Sequence, residues 1–473
     1  MKVGLASPDS KCNPPVTLTS CSTDRNMINR RLVLTGLAGL ASGSLLPRSA
    51  QAQTVSASIN AMEFGLRPGS PDDQTGKLNA LLTKASSAGQ QIFLPPGTYI
   101  VSGVQFPAYV NLVGVSGKSR LLFGGKSGLV TANGSEHVQL NGLVIDGDGR
   151  PLGEGTRGLF EASNIAHIVL DDCQIVGAHK NAVDLFKCSG RIEKSRISGA
   201  SDAAIFAADS TGLQITNNEI SDCGNGGILV QRYEQGRDGT IISGNRVEKI
   251  RADAGGTGQN GNAINIFRAN NVVVSNNIIN NSDFSAIRGN SASNLQITGN
   301  NCTASGETAI YSEFAFEGAV IANNLVDHAA NGISMVNFDN GGRLGTCSGN
   351  VVRNLSTKGP YPGTFGIGIS VEADISVTGN VVENAPLYGI QLGWGAYMRN
   401  VIATGNIVRG SGEGIYVSVV EGVGSAIISE NIIQGSRNGG IVGHSWADVK
   451  VKDLTQKSAQ VYPNLTVERN IVS

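Results

Sequence analysis

Ten asparagines recur along this chain, from Asn218 through Asn245, Asn277, Asn300, Asn324, Asn350, Asn380, Asn406 and Asn431 to Asn470. Each is followed two residues later by an apolar side chain, and most are spaced about 23 to 32 residues apart. A period of that size marks a repeat solenoid. The local pattern is apolar-x-[Gly/Asn]-Asn-x-apolar, as in Ile215 to Ile220 and Val377 to Val382. Asparagine tolerates the left-handed backbone region and bonds its own backbone. One such turn residue per coil is expected to stack its amide on the coils above and below as a ladder.

The second recurring element is a small residue followed by Ile or Val, as in Ala204-Ile205, Gly227-Ile228, Gly389-Ile390 and Gly440-Ile441. Alternation around both elements has period two, so they are strands with one buried face. Short strands with glycine corners and no helical spacers predict an all-β, right-handed parallel β-helix. Counting from Leu143 gives about thirteen coils. Residues 126–473 are assigned to these repeats and 53–125 to an N-terminal cap. The earliest slots hold Leu143, Cys173 and Ser195, so the ladder starts partway along.

Aromatics make up 5% of the chain, so its core must come from Ile, Val, Leu and Ala. A formal net charge of −1, with no basic block, argues against nucleic acid and anionic membrane surfaces as partners. Cys302 and Cys347 fall on inward positions and read as small buried hydrophobes. The histidines are isolated and no Cys-x-x-Cys occurs, so no metal or cofactor is expected. Calcium lacks a stacked aspartate trio.

Residues 1–52 read as an extension and an export signal. Arg30-Arg31 precedes an apolar, glycine-interrupted run to Leu46, and Ala50-Gln51-Ala52 offers a small-residue cleavage site, with cleavage expected after Ala52. The run is too short to span a bilayer comfortably, so an integral membrane protein is not expected after cleavage. Paired arginines point to twin-arginine translocation and its machinery as a transient partner. The expected destination is the periplasm or the cell exterior. Residues before Met27 look like an over-long start.

Between the signal and the coils, Leu78, Leu81, Leu82 and Ala85 share one face of a helix, with Ser70, Asp72 and Asp73 as capping candidates. Phe64-Gly65, this helix and then Leu94-Pro95-Pro96-Gly97-Thr98-Tyr99 resemble the opening of the pectate-lyase-like superfamily. The resemblance implies a short helix lying across the first coil. An open solenoid end needs such a cover, because it exposes apolar side chains and strand edges.

Aligning the coils sets Phe206, Leu229, Asn265, Arg288, Tyr311, Ser334, Ser370, Gln391 and Tyr416 in one outward column. Gln231, Phe267, Asn290, Glu313, Glu372 and His444 form a second, with Arg268 and Trp394 one step further. Aromatic planes, amides, arginines and carboxylates on one face suit a sugar. Arg268, Tyr311, Trp394 and Tyr416 are the candidate substrate-binding residues, and Glu313, Glu372 and Arg288 the candidate catalytic ones. Arginine here would hold a uronate carboxylate. The competing reading is a solvated sheet with cross-strand pairs such as Arg288 with Glu313. Glu313 and Glu372 stand two coils apart, about 10 Å, too far for retaining hydrolysis and marginal for inverting. Two long excursions, 251–259 and 357–364, read as loops or groove walls, and a third after Asn431 as a cover for the C-terminal end.

The Asn-Thr-Asp, Gly-His-Gly and Arg-Ile-Lys set of polygalacturonases is missing, as is the Asp-Pro-His-Asp of alginate epimerases. The paired arginines, the cap and the repeats together resemble the family of twin-arginine-translocated repetitive proteins, over the whole mature chain. That likeness specifies export and fold and hardly any activity. The functional expectation is an exported protein that binds or processes a uronate-containing polysaccharide, as lyase, epimerase or hydrolase. The alternative is a non-catalytic structural or interaction β-helix.

Overall fold

The computed structural model describes residues 58–455 and 461–473, so Arg30, Arg31 and Ala52 lie outside the described residues. Those residues form a right-handed parallel β-helix of about 14 turns. The strands stack in two parallel sheets, one of 16 strands and one of 28, the larger carrying two faces of each coil. Inward side chains such as Ile205, Ile228, Ile264, Ile287 and Ile310 stack in register and are fully buried. Aliphatic burial over the whole bore is the main stabilising term.

The ladder forms as expected, with one correction. Asn350 donates its backbone N–H and its Nδ2 to Asn380 Oδ1, each at 2.9 Å, and Nδ2 also to Ile321 O at 3.1 Å. The same double contact onto the next Oδ1 joins each rung from Asn218 to Asn470. The left-handed residue is not the rung but the one before it: Asn217, Gly244, Asn276, Gly299, Asn323, Gly349, Gly379, Gly405 and Glu430, with φ from 55 to 69°. The preceding residue makes the corner, and the rung asparagine keeps its amide for its neighbours instead of its own backbone. Ser195 and Cys173 extend the column, for Ser195 N–H donates to Asn218 Oδ1 and Cys173 N–H to Ser195 Oγ.

Helix α1 (Thr75–Ala88) covers the first coils and buries Leu78, Leu81, Leu82 and Ala85. Asp73 Oδ1 accepts from Thr75 N–H at the helix start. The helix also satisfies the open strand edge. Ser102, Gln105 and Tyr109 donate their backbone N–H groups to Thr75 Oγ1, Asn79 Oδ1 and Ser86 Oγ at 2.7, 3.0 and 3.0 Å. At the other end, Ile441–Ser445 pairs antiparallel with Asp448–Val451, and Leu454 is buried against that face. Cys173, Cys188, Cys223, Cys302 and Cys347 are all buried and free.

Replacing Asn350 by Ala strands two donors of Asn324 in the interior and is expected to cost about 2–3 kcal/mol. Asn470→Ala, at the half-buried last rung where water can substitute, is expected to cost under about 1 kcal/mol. Urea unfolding of both variants checks the difference.

Candidate functional site

The outward column exists in the order expected: Phe206, Leu229, Asn265, Arg288, Tyr311, Ser334, Ser370, Gln391 and Tyr416 follow one another in register. Gln231, Phe267, Asn290 and Glu313 do the same one position pair along. A cleft of about 550 Å³ opens over the first coils of this face. Its floor is Phe206, Leu229, Gln231, Asn265, Phe267, Arg288 and Asn290, with Asp202 and Phe314 at its edges. Its wall is Thr257 to Asn260, from the first long excursion, which is therefore a groove wall. A second cleft of about 340 Å³ shares Phe267, Asn290 and Phe314 and adds Arg268 and Asn340.

Arg288 organises the floor. Its Nε donates to Glu313 Oε1 at 2.7 Å, and its Nη1 to Glu307 Oε2 and Gly258 O, both at 3.1 Å. Asn290 Nδ2 adds a bond to Glu313 Oε1 at 2.9 Å, and Ser285 Oγ one to Glu307 Oε2 at 3.2 Å. Tyr361, from the second excursion, reaches back to Glu307 Oε1 at 2.5 Å. Arg288 thus ties both excursions to the sheet, one directly and one through Glu307. Glycine suits position 258 because its φ of +132° strains any other residue, and a Cβ there would also displace the Arg288 guanidinium, 2.0 Å away. Burial pushes Glu313 above the usual carboxylate range, against the pull of Arg288 and the two hydrogen bonds. Tyr311 packs against the guanidinium at 5.1 Å, and burial raises its pKa as well.

Several expectations are revised by this geometry. Arg288 is 8% exposed and engaged by two carboxylates, so it is a positioning residue and not a free partner for a uronate. Of the two candidate arginines, only Arg268 is at the surface, over the Phe267 ring at 4.8 Å with Nη1 on Tyr233 O. Glu313 and Glu372 take separate partners and do not form a catalytic pair. Glu372 accepts from Phe338 N–H at 2.7 Å and pairs with no cation among the described residues, and burial pushes its pKa up to about 7. Tyr416 offers no face to a ligand. It is fully buried, stacked on His444 at 4.2 Å and Trp394 at 6.2 Å, with its hydroxyl on Trp446 O. Trp394 therefore belongs to a separate cluster with Tyr416 and Trp446, away from the cleft. Cleft residues outside the candidate set are Phe206, Phe267, Phe314, Gln231, Asn265, Asn290 and Asp202, with Glu307 and Tyr361 behind them. Most stand in the aligned columns, whereas Phe314 and Tyr361 sit outside the strands and Glu307 falls at the register shift within the strand Asn301–Glu313, where alternation gives no signal.

Residues 158–253 and 233–400 match the family described as right handed beta helix region. The chain belongs to that family. Residues 58–135 of this β-helix protein also match the family described as rhamnogalacturonase A/epimerase, pectate lyase-like, at the cap and first coils. Comparison with curated proteins gives no match. Among solved structures, pre-mature bacteriophage phi29 gene product 12 aligns with TM-score 0.53 and 14% identity, over 81% of this chain and 65% of that one. The β-helix protein thus spans about two thirds of the phage protein's length. The exopolygalacturonase of Thermotoga maritima aligns with TM-score 0.38 and 13% identity, over 88% of this chain and 92% of that one. At 14% identity the likeness to the phage protein is one of fold.

Removing one partner of a buried ion pair leaves the other uncompensated. Arg288→Ala is therefore expected to cost about 3–5 kcal/mol, whereas exposed Arg268→Ala should stay within about 0.5 kcal/mol, both read by urea unfolding. Glu372 gives a pH signature. Its folded pKa is raised, so its contribution is fully present below the unfolded carboxylate value and is lost as pH rises through about 7. Stability should fall by up to about 3 kcal/mol across that window, and Glu372→Gln should flatten the profile. A flat wild-type profile contradicts the assignment.

Proposed function

We propose that this β-helix protein is exported by the twin-arginine route and binds polysaccharide in the two adjoining clefts. The observation that carries the reading is the floor itself. Phe206, Phe267 and Phe314 supply apolar rings for the faces of sugar residues, and Gln231, Asn265 and Asn290 stand between them on stacked strands. Amides donate and accept, so they match hydroxyl groups. The clefts share three residues, so together they form one extended groove suited to a polymer. Export is supported by Arg30-Arg31 and the Ala50-Gln51-Ala52 site. Among the described residues, no helix is long and apolar enough to cross a membrane.

Binding without bond cleavage is favoured over hydrolysis. Two carboxylates on opposite sides of a scissile bond are required for hydrolysis, and Glu313 and Glu372 are instead committed to separate structural partners.

A glycan array followed by product analysis tests the reading. Bound glycan should be recovered without shortened or unsaturated products, and Phe267→Ala should weaken binding about tenfold. Product formation that disappears in Glu313→Gln would replace binding with catalysis. Binding to no glycan at all would end the polysaccharide reading. Export is checked by replacing Arg30 and Arg31 with Lys, which should hold the protein in the cytoplasm.

A further inference from the structure

We infer that the main cleft takes an uncharged glycan segment, selected against uronates. This rests on the polysaccharide reading above and names the substrate class of that site. Three observations lead to it.

The first is the balance of charge. Asp202, Glu307 and Glu313 stand in or directly behind the groove, against the guanidiniums of Arg268 and Arg288. A groove with that balance does not draw in a polyanion. Arg268 is the only one of the two with its charge turned to solvent, and it lies in the adjoining cleft.

The second is the state of Arg288. To grip a ligand carboxylate through Nε or Nη1, it would have to release Glu313 or Glu307, which are 2% and 1% exposed. Either release leaves a buried, unpaired carboxylate, a worse loss than a half-solvated uronate contact returns. The Nη2 group makes no hydrogen bond to the described residues. It remains a donor for a hydroxyl or ring oxygen, on a guanidinium whose charge is already offset twice over.

The third observation shows which groups of a sugar the floor receives. Asn265 Oδ1 is buried in the cleft floor and has no donor among the described residues. A buried acceptor of this kind is costly to leave unmet. Sugar hydroxyls, and the N–H of an acetamido sugar, can donate to it. An ionised carboxylate only accepts, so a uronate could meet this acceptor through its ring hydroxyls alone, never through its acid group. The side-chain amide of Gln231, in the same floor, makes no hydrogen bond to the described residues either, and it can both donate and accept.

Titration calorimetry with matched oligosaccharides tests the inference on the full protein. The probes are galacto- and galacturono-oligomers, gluco- and glucurono-oligomers, and a chito-oligosaccharide. The preferred ligand should be a neutral member, at least about tenfold tighter than its acidic counterpart, as the cost of placing an unpaired carboxylate in this groove implies. Its Kd should change less than about twofold between ~50 and ~500 mM salt, because no ion pair forms. Asn265→Ala should weaken neutral binding about tenfold, and Asp202→Asn should narrow the gap to the acidic oligomer. Circular dichroism confirms that both variants fold. The salt series on the unaltered protein stands even if they do not. A uronate oligomer that binds more tightly than its neutral counterpart, or a steep loss of affinity with salt, overturns the inference while the polysaccharide reading survives. If neither kind binds, the polysaccharide reading fails first and the inference with it.

Discussion

Every other feature of this molecule depends on the bifurcated contact between successive asparagines. One Oδ1 receives both the backbone N–H and the Nδ2 of the preceding rung, as at Asn380 with Asn350. The rungs from Asn218 to Asn431 are buried, at 2% exposure or less, so no water competes for these groups. Hydrogen bonds in such a setting are strong, and an unmet one is costly. A coil that slipped by one residue would lose several of these bonds at once. It would also turn its aliphatic side chains outward. Register is therefore held along the rod, and columns of outward residues follow from it.

The cleft is where the regular spiral admits exceptions. The excursion after Asn245 lifts Thr257 to Asn260 beside the sheet, and Arg288 holds it there through Gly258 O. The same guanidinium meets Glu307, to which Tyr361 of the later excursion also bonds. A buried ion-pair network of this kind is a weak source of net stability, because desolvation offsets most of the attraction. Its effect is geometric. It fixes the wall and floor relative to each other before any ligand arrives, which lowers the ordering cost of binding. The glycine at 258 is part of the device, since its φ of +132° disfavours other residues and a Cβ there would push the guanidinium from its place.

The architecture was legible because its determinants are local and periodic. Asn218 to Asn470 announced the coils, Leu78 to Ala85 the capping helix, and the outward columns fell into place by counting. The site was harder to read, for physical reasons. Alternation tells which way a side chain points but not whether something covers it. Tyr416 points outward as counted, yet Trp394, His444 and Trp446 bury it. Arg288 and Glu313 are adjacent by counting, but the second carboxylate on Arg288 comes from Glu307, at a register shift within the strand Asn301–Glu313 that breaks the alternation. Tyr361 reaches Glu307 from a loop 54 residues later, a contact with no sequence signature. The left-handed corner also fell one residue earlier than the asparagine itself, at Asn217 and its equivalents.

The most direct test of the account is hydrogen–deuterium exchange with and without the tightest-binding glycan. The account predicts protection in peptides covering 202–206, 229–231, 257–267, 288–290 and 314, with the wall at 257–260 changing most. Protection confined to 400–427, or to the Trp394 and Trp446 cluster, would place the ligand elsewhere and contradict it.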